Sequence, residues 1–188
     1  MNIQSTVSGI AAILLLHLSC CSARLWDFEP MFVNTTSADE SLVQIHAEIV
    51  RKGRETPSIS GTLDCQYPLD ETTLVEAVVY RSQTGSEDDY KLTPWGIPRK
   101  TFTEYMREYY NNMIYPNFEG CSNLAKPGTE NAWSKVNYVF DECIPTGKGL
   151  PEIVPEGYYK IQFTATGRVE WGFVFVMRIV SKSNMMGY

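Results

Sequence analysis

Few side chains in this chain could carry out chemistry, and their scarcity limits the functions open to it. Histidine occurs only at His17 and His46. His17 lies inside an apolar leader, so Ser-His-acid or Cys-His hydrolysis would have to run through His46. That residue sits on the polar parity of an alternating stretch, with no recognisable nucleophile motif near it. The same count excludes a metal site built from several histidines, and beyond the leader no cysteines are paired closely enough to replace them. Neither a P-loop nor a dinucleotide-binding glycine pattern is present, so no cofactor is expected. Carboxylates are plentiful, with 22 Asp and Glu, but no two stand out as a glycosidase-type acid pair. The acidic run Glu87-Asp88-Asp89 reads as a solvated turn. A binding protein is the expectation, and an enzyme the weaker one.

The leader sets the compartment. An apolar run from Ile10 to Leu18, broken only by His17, precedes Ser19-Cys20-Cys21-Ser22-Ala23, and together they read as a secretory signal peptide over residues 1–23. The run is too short to span a bilayer. Cleavage after Ala23 takes 23 of the 188 residues and leaves 165, expected to form a single domain over 24–188. The formal net charge of −6 stays with the mature chain, since the leader is uncharged. Nucleic-acid binding and polybasic attraction to anionic membranes are both disfavoured.

Of the five cysteines, Cys65, Cys121 and Cys143 remain after cleavage, in a compartment where disulfides persist. Pairing of Cys121 with Cys143 is expected, closing a loop of about 20 residues and contributing roughly 3 kcal/mol. Cys65 is then either a buried free thiol or a link between molecules, and a small hydrophobe in a strand is the simpler reading. Asn34-Thr35-Thr36 is an N-glycosylation sequon, which would put Asn34 on a surface turn if the site is used.

The elements that must position these groups are mostly strands. Residues 24–36 suit an aromatic-rich edge strand interrupted at Pro30. From Leu42 to Arg51, Val43, Ile45, Ala47 and Ile49 alternate with polar residues. Ile59 to Cys65 is a further strand, and Leu74 to Arg81 is apolar on both faces, as an inner strand would be. Between Pro98 and Ile114 the period changes. Thr101 and Glu104 have capping-box spacing, and Phe102, Met106, Tyr109 and Met113 recur at helical intervals, predicting an amphipathic helix over about 101–114 that ends at Tyr115-Pro116. Residues 133–143 are ambiguous between strand and irregular structure.

The clearest element is the last, a β-hairpin over 155–180. Tyr159, Ile161 and Phe163 share one face of its first arm, and Trp171, Phe173, Phe175, Met177 and Ile179 one face of its second. A three-residue loop would pair Phe163 with Trp171, Ile161 with Phe173 and Tyr159 with Phe175, keeping the parity. So large an aromatic face must be covered, by protein alone or by protein and a small apolar guest. The candidate ligand-binding residues are therefore Tyr159, Ile161, Phe163, Trp171, Phe173 and Phe175, with Met106 and Tyr109 from the helix. An apolar helical stripe is also simply core. The overall expectation is a mostly β fold, a β-sandwich or β-cup with one amphipathic helix packed on it.

The order and spacing of several pieces resemble a known family. They are Val78-Val79-Tyr80-Arg81-Ser82 followed by Asp89-Tyr90-Lys91, then Phe118-Glu119-Gly120-Cys121, then Cys143-Ile144-Pro145, and last Val154-Pro155-Glu156-Gly157-Tyr158-Tyr159-Lys160-Ile161. The chain is similar in these to insect CheB-type chemosensory proteins, which are related to the ganglioside activator and the ML lipid-recognition fold. The chain departs by having Ile144 between Cys143 and Pro145, and by having fewer cysteines than the ganglioside activators. The resemblance implies a secreted β-cup that holds a small hydrophobic, lipid-like or pheromone ligand and delivers it to a chemosensory membrane receptor or channel. Two other classes compete: a lipocalin-like barrel, whose early Gly-x-Trp is absent here, and a ligand-free extracellular interaction module in which the aromatic face is a filled core.

Overall fold

The structure is a computed structural model, and it describes residues 24–128 and 137–182. The leader, Trp133 and the last six residues lie outside the described residues. Among the described residues, eight strands form two antiparallel sheets. In chain order they are β1 (Trp26–Ser37), β2 (Val43–Val50), β3 (Ser58–Cys65), β4 (Leu74–Ser82), β5 (Lys91–Thr101), β6 (Asn137–Cys143), β7 (Gly157–Thr166) and β8 (Trp171–Ser181). One sheet has the order β1-β8-β7-β4-β5, the other β2-β3-β6. The fold is a β-sandwich with one helix, as the sequence predicts.

The strand patterns explain the layering. β4, apolar on both faces, lies between β7 and β5. β1 is an edge strand, and its register slips by a bulge between Pro30 and Phe32, where proline has no N–H to give the ladder. Asn34 is exposed, but it sits inside β1 opposite Val174 and not on the expected turn. The bulge lets the strand continue past Pro30, which removes the turn. His46 is exposed on β2 across from Thr62.

The hairpin keeps its predicted parity but not its predicted register. Phe163 pairs with Phe173, Ile161 with Phe175 and Tyr159 with Met177, while Trp171 pairs with Ala165. Each partner is two residues further along β8 than a three-residue loop would give. The loop is longer because it packs: Val169 is buried in the core cluster, and the Glu170 carbonyl accepts from the Ala38 N–H at 2.8 Å. A Cβ on Gly167 would come within 3.0 Å of Thr73 Oγ1, so the loop lies tight against the β3–β4 connection.

The helix, α1, spans 102–118 and grows directly out of β5. Thr101 Oγ1 accepts from the Glu104 N–H at 3.2 Å and Glu104 Oε2 accepts from the Thr101 N–H at 3.1 Å, the predicted capping box. The Phe102 N–H donates to the Thr73 carbonyl at 2.7 Å, fastening the helix start to the end of the β3–β4 connection. Beyond Tyr105 the helix widens. Met106–Ile114 is π-helical, and the Tyr115 N–H reaches back five residues to the Tyr110 carbonyl. Tyr115-Pro116 does not stop the helix. Pro116 falls in the first turn of a closing α segment, Tyr115–Phe118, where a missing N–H is tolerated.

The Cys121–Cys143 disulfide joins the exit of α1 to the end of β6, with the two Cα atoms 5.3 Å apart. Cys65 is a free, buried thiol. Among the described residues no helix is long and apolar enough to cross a membrane.

Candidate functional site

The inner face of the five-stranded sheet is best described in rows, because directly opposed residues on antiparallel strands share a face. One row runs Trp171, Ala165, Val75, and the next Phe173, Phe163, Ala77, Ile97. A third is Val33, Phe175, Ile161, Val79, and a fourth is Pro30, Met177, Tyr159, Arg81, Lys91. The rows differ in cover.

At one end the first row is sealed, and with it Phe163 and Ala77 of the second. Val43 and Cys65 from the opposing sheet, Tyr67 and Leu69 from the loop after β3, and Phe102 from α1 form one cluster with Val75, Phe163, Ala165 and Trp171. Phe163 is the hub of its aromatic contacts. Its ring stacks on Phe173 with centroids 5.1 Å apart and planes at 11°, and lies 5.8 Å from Trp171 and 6.1 Å from Tyr105. Met106 packs on the same cluster. At the other end Trp26, Tyr159 and Ile179 form a second, smaller cluster. The Tyr159 hydroxyl donates to the Pro155 carbonyl at 2.7 Å, and its ring stacks on Trp95 at 6.0 Å.

The third row lies between the two clusters. Val33, Phe175, Ile161 and Val79 all face inward, yet each is only half-buried, and the β4–β5 ladder is irregular at Val79. On the opposing sheet Ile45, Ala47 and Leu63 are half-buried as well, Ile45 and Leu63 packing against the sealed cluster. In a filled sandwich the middle of the inner face is the most enclosed part, because both sheets and both ends cover it. Here the order is reversed: the interior is packed at its ends and incompletely covered between them.

The predicted residues therefore fall into three environments. Phe163 and Trp171 belong to the sealed end and Tyr159 to the opposite cluster. Ile161 and Phe175 form the half-covered row, with Phe173 beside it and half-buried too. Tyr109 lies on α1, 5.6 Å from Tyr105, with the Lys100 ammonium 5.0 Å over its ring. The helical stripe predicted from Phe102, Met106, Tyr109 and Met113 missed Tyr110, which is the most deeply buried residue of the helix and donates its hydroxyl to the Ala125 carbonyl. A π-helix carries more residues per turn than the 3.6 of the sequence pattern, which moves the buried stripe onto Tyr110. Tyr67 and Leu69 were also missed. The alternation of β3 runs on through Cys65, Tyr67 and Leu69, with exposed Gln66, Pro68 and Asp70 between them, and that pattern carried the signal.

The interior is electrically quiet. Burial raises the Tyr105 phenol above its ordinary range and that of Tyr138 to about 12, so both are neutral at physiological pH. Burial raises the Cys65 thiol to about 12 as well. Lys100, opposite Val75, closes the first row and is paired with Glu108, and the cations Arg81 and Lys91 close the fourth. They border a hollow of about 370 Å³ that Leu92 and Trp95 also line. A second hollow of about 380 Å³ lies around Gly172. Thr36 and Thr164, its outward-facing neighbours, line it on the other side of the sheet from the aromatic face.

Fold and site together define a two-sheet sandwich with one helix and an apolar inner face left partly uncovered. Residues 75–161, from β4 through α1 and β6 into β7, match the family described as "Protein of unknown function (DUF1091)", and over that stretch the chain is similar to it. No curated protein matches the chain.

Proposed function

We propose that this chain is a secreted carrier for a small hydrophobic, lipid-like or pheromone ligand, serving insect chemosensory perception and acting by binding, without catalysis. The half-covered row Val33, Phe175, Ile161, Val79 carries the reading, because uncovered apolar surface inside a fold is where an apolar guest gains most from leaving water. Uncharged walls, the match over 75–161 and the resemblance to CheB-type and ML proteins support it. So does a disulfide of the kind that persists outside the cytosol. Delivery to a chemosensory membrane receptor or channel follows from the resemblance alone.

Displacement of a fluorescent fatty-acid probe tests the reading. The native protein should bind the probe with one-to-one stoichiometry, and Ile161→Trp, which fills the middle of the row, should weaken binding at least tenfold while leaving the fold intact by circular dichroism. Absence of displaceable binding by the native protein would sink the proposal. A ligand-free extracellular interaction module is the second reading, favoured by Met31 and Phe32 standing exposed on the edge strand β1. It predicts no probe binding at all.

A further inference from the structure

The fourth row of the inner face changes chemistry along its length. It begins with Met177 and Tyr159 and ends with Arg81 and Lys91, which are direct cross-strand partners on β4 and β5. Like charges placed opposite each other in an antiparallel pair repel, and a nearby anion would relieve the repulsion. No carboxylate within the described residues does so by an ion pair. The Arg81 guanidinium donates instead to the neutral Glu156 carbonyl, from Nε at 3.1 Å and Nη2 at 2.5 Å. The nearest acid lining the same hollow is Asp89, and its Oδ2 is already taken. It accepts from Ser82 Oγ at 2.9 Å and from the Gln83 and Thr84 N–H groups at 3.0 and 3.2 Å. The two cations thus stand together at the rim of the hollow, one row from Ile161 and Val79. Trp95 projects beside them from the β5 bulge and stacks on Tyr159.

We infer that the occupant of the interior is a single-chain amphiphile with an anionic head, its chain along Val79, Ile161 and Phe175 and its head between Arg81 and Lys91. This rests on the carrier reading and narrows it, since a neutral hydrocarbon would leave the paired cations without an ion-pair partner, Asp89 being the one carboxylate among the hollow's lining residues. Charge-assisted hydrogen bonds from both cations hold the head, and Trp95 covers the junction between head and chain.

The test compares hexadecanoic acid with 1-hexadecanol, ligands of equal chain length that differ in the charge of the head, each displacing the apolar probe 1-N-phenylnaphthylamine. The acid is expected to bind at least roughly tenfold more tightly than the alcohol. Lys91→Gln and Arg81→Gln should each reduce that ratio, and the double variant should bring it close to one without weakening the alcohol. Lys91 is exposed and its ammonium has no ion-pair partner among the described residues, so its variant reads the charge without a folding defect. Equal affinity for acid and alcohol in the native protein, or a preference unchanged in Lys91→Gln and the double variant, overturns the inference and leaves the carrier reading standing. Inorganic phosphate that displaces the acid and the alcohol equally well would also overturn it, by marking a site for free anions. Failure of the probe itself to bind removes the carrier reading, and this proposal with it.

Discussion

Phe163 and Phe173 face each other across β7 and β8 as a directly opposed pair, their rings stacked 5.1 Å apart at 11°. Phe163 is also within ring contact of Tyr105 on the helix and Trp171 on the neighbouring row, so one side chain joins hairpin and helix at the sealed end of the sandwich. Phe163→Ala is expected to cost about 3–5 kcal/mol, read by urea denaturation followed by tryptophan fluorescence. A cost near that of a surface substitution would mean the end is not packed around this ring.

Gly172 is required by contact and not by a turn. A Cβ there would lie 2.2 Å from the Phe163 carbonyl oxygen, a backbone atom that cannot swing aside. Gly172→Ala should therefore destabilise the protein by about 1–3 kcal/mol even though alanine suits a strand no worse than glycine does. A thermal midpoint equal to that of the native protein would show that β7 and β8 can separate locally at no cost.

Cys65 should behave as a hidden thiol. It is 1 % exposed, and burial raises its pKa to about 12. Folding therefore favours the protonated thiol. The stabilisation is complete below the unfolded value near 9.0 and is lost as pH rises toward about 12. At pH 8, in protein that lacks residues 1–23 and with them Cys20 and Cys21, a colorimetric thiol reagent should register no fast-reacting group in the native state, and one on addition of guanidinium. Rapid native reaction would contradict the burial.

Asp89 has the opposite sign. The Ser82 hydroxyl, followed by the Thr84 and Gln83 N–H groups, holds its carboxyl below the ordinary value of 3.8. Its contribution to the 82–90 loop is present above about pH 3.8 and is lost as pH falls through the lowered pKa. Asp89→Asn should loosen this loop at neutral pH, seen as faster amide exchange at Gln83 and Thr84, while the hairpin amides keep their protection. Equal exchange rates in the two proteins would show that the carboxylate does not organise the loop.

Much of this was legible in the sequence because it is local. Apolar patterning placed β1 to β4 and the two arms of the hairpin, though not β5, and assigned Phe163, Phe173 and their neighbours to one face. The Thr101 and Glu104 pair marked the helix start, and spacing suggested the Cys121–Cys143 bridge. Side-chain parity depends only on the two-residue repeat of a strand, and a cap only on one turn of chain.

What the tertiary structure decided depends on contacts between segments far apart in sequence. The hairpin register was set by Val169 entering the core and Gly167 resting on Thr73, neither of which a loop-length argument can see. The helix ran past Pro116 and turned Tyr110 inward because the π segment changed its phase. Most of all, the sequence made Ile161 and Phe175 equal members of an aromatic and aliphatic face with Tyr159, Phe163 and Trp171. Only packing distinguishes them, since whether an inward side chain is sealed or left half-covered depends on what the opposite sheet, the helix and the loops bring over it.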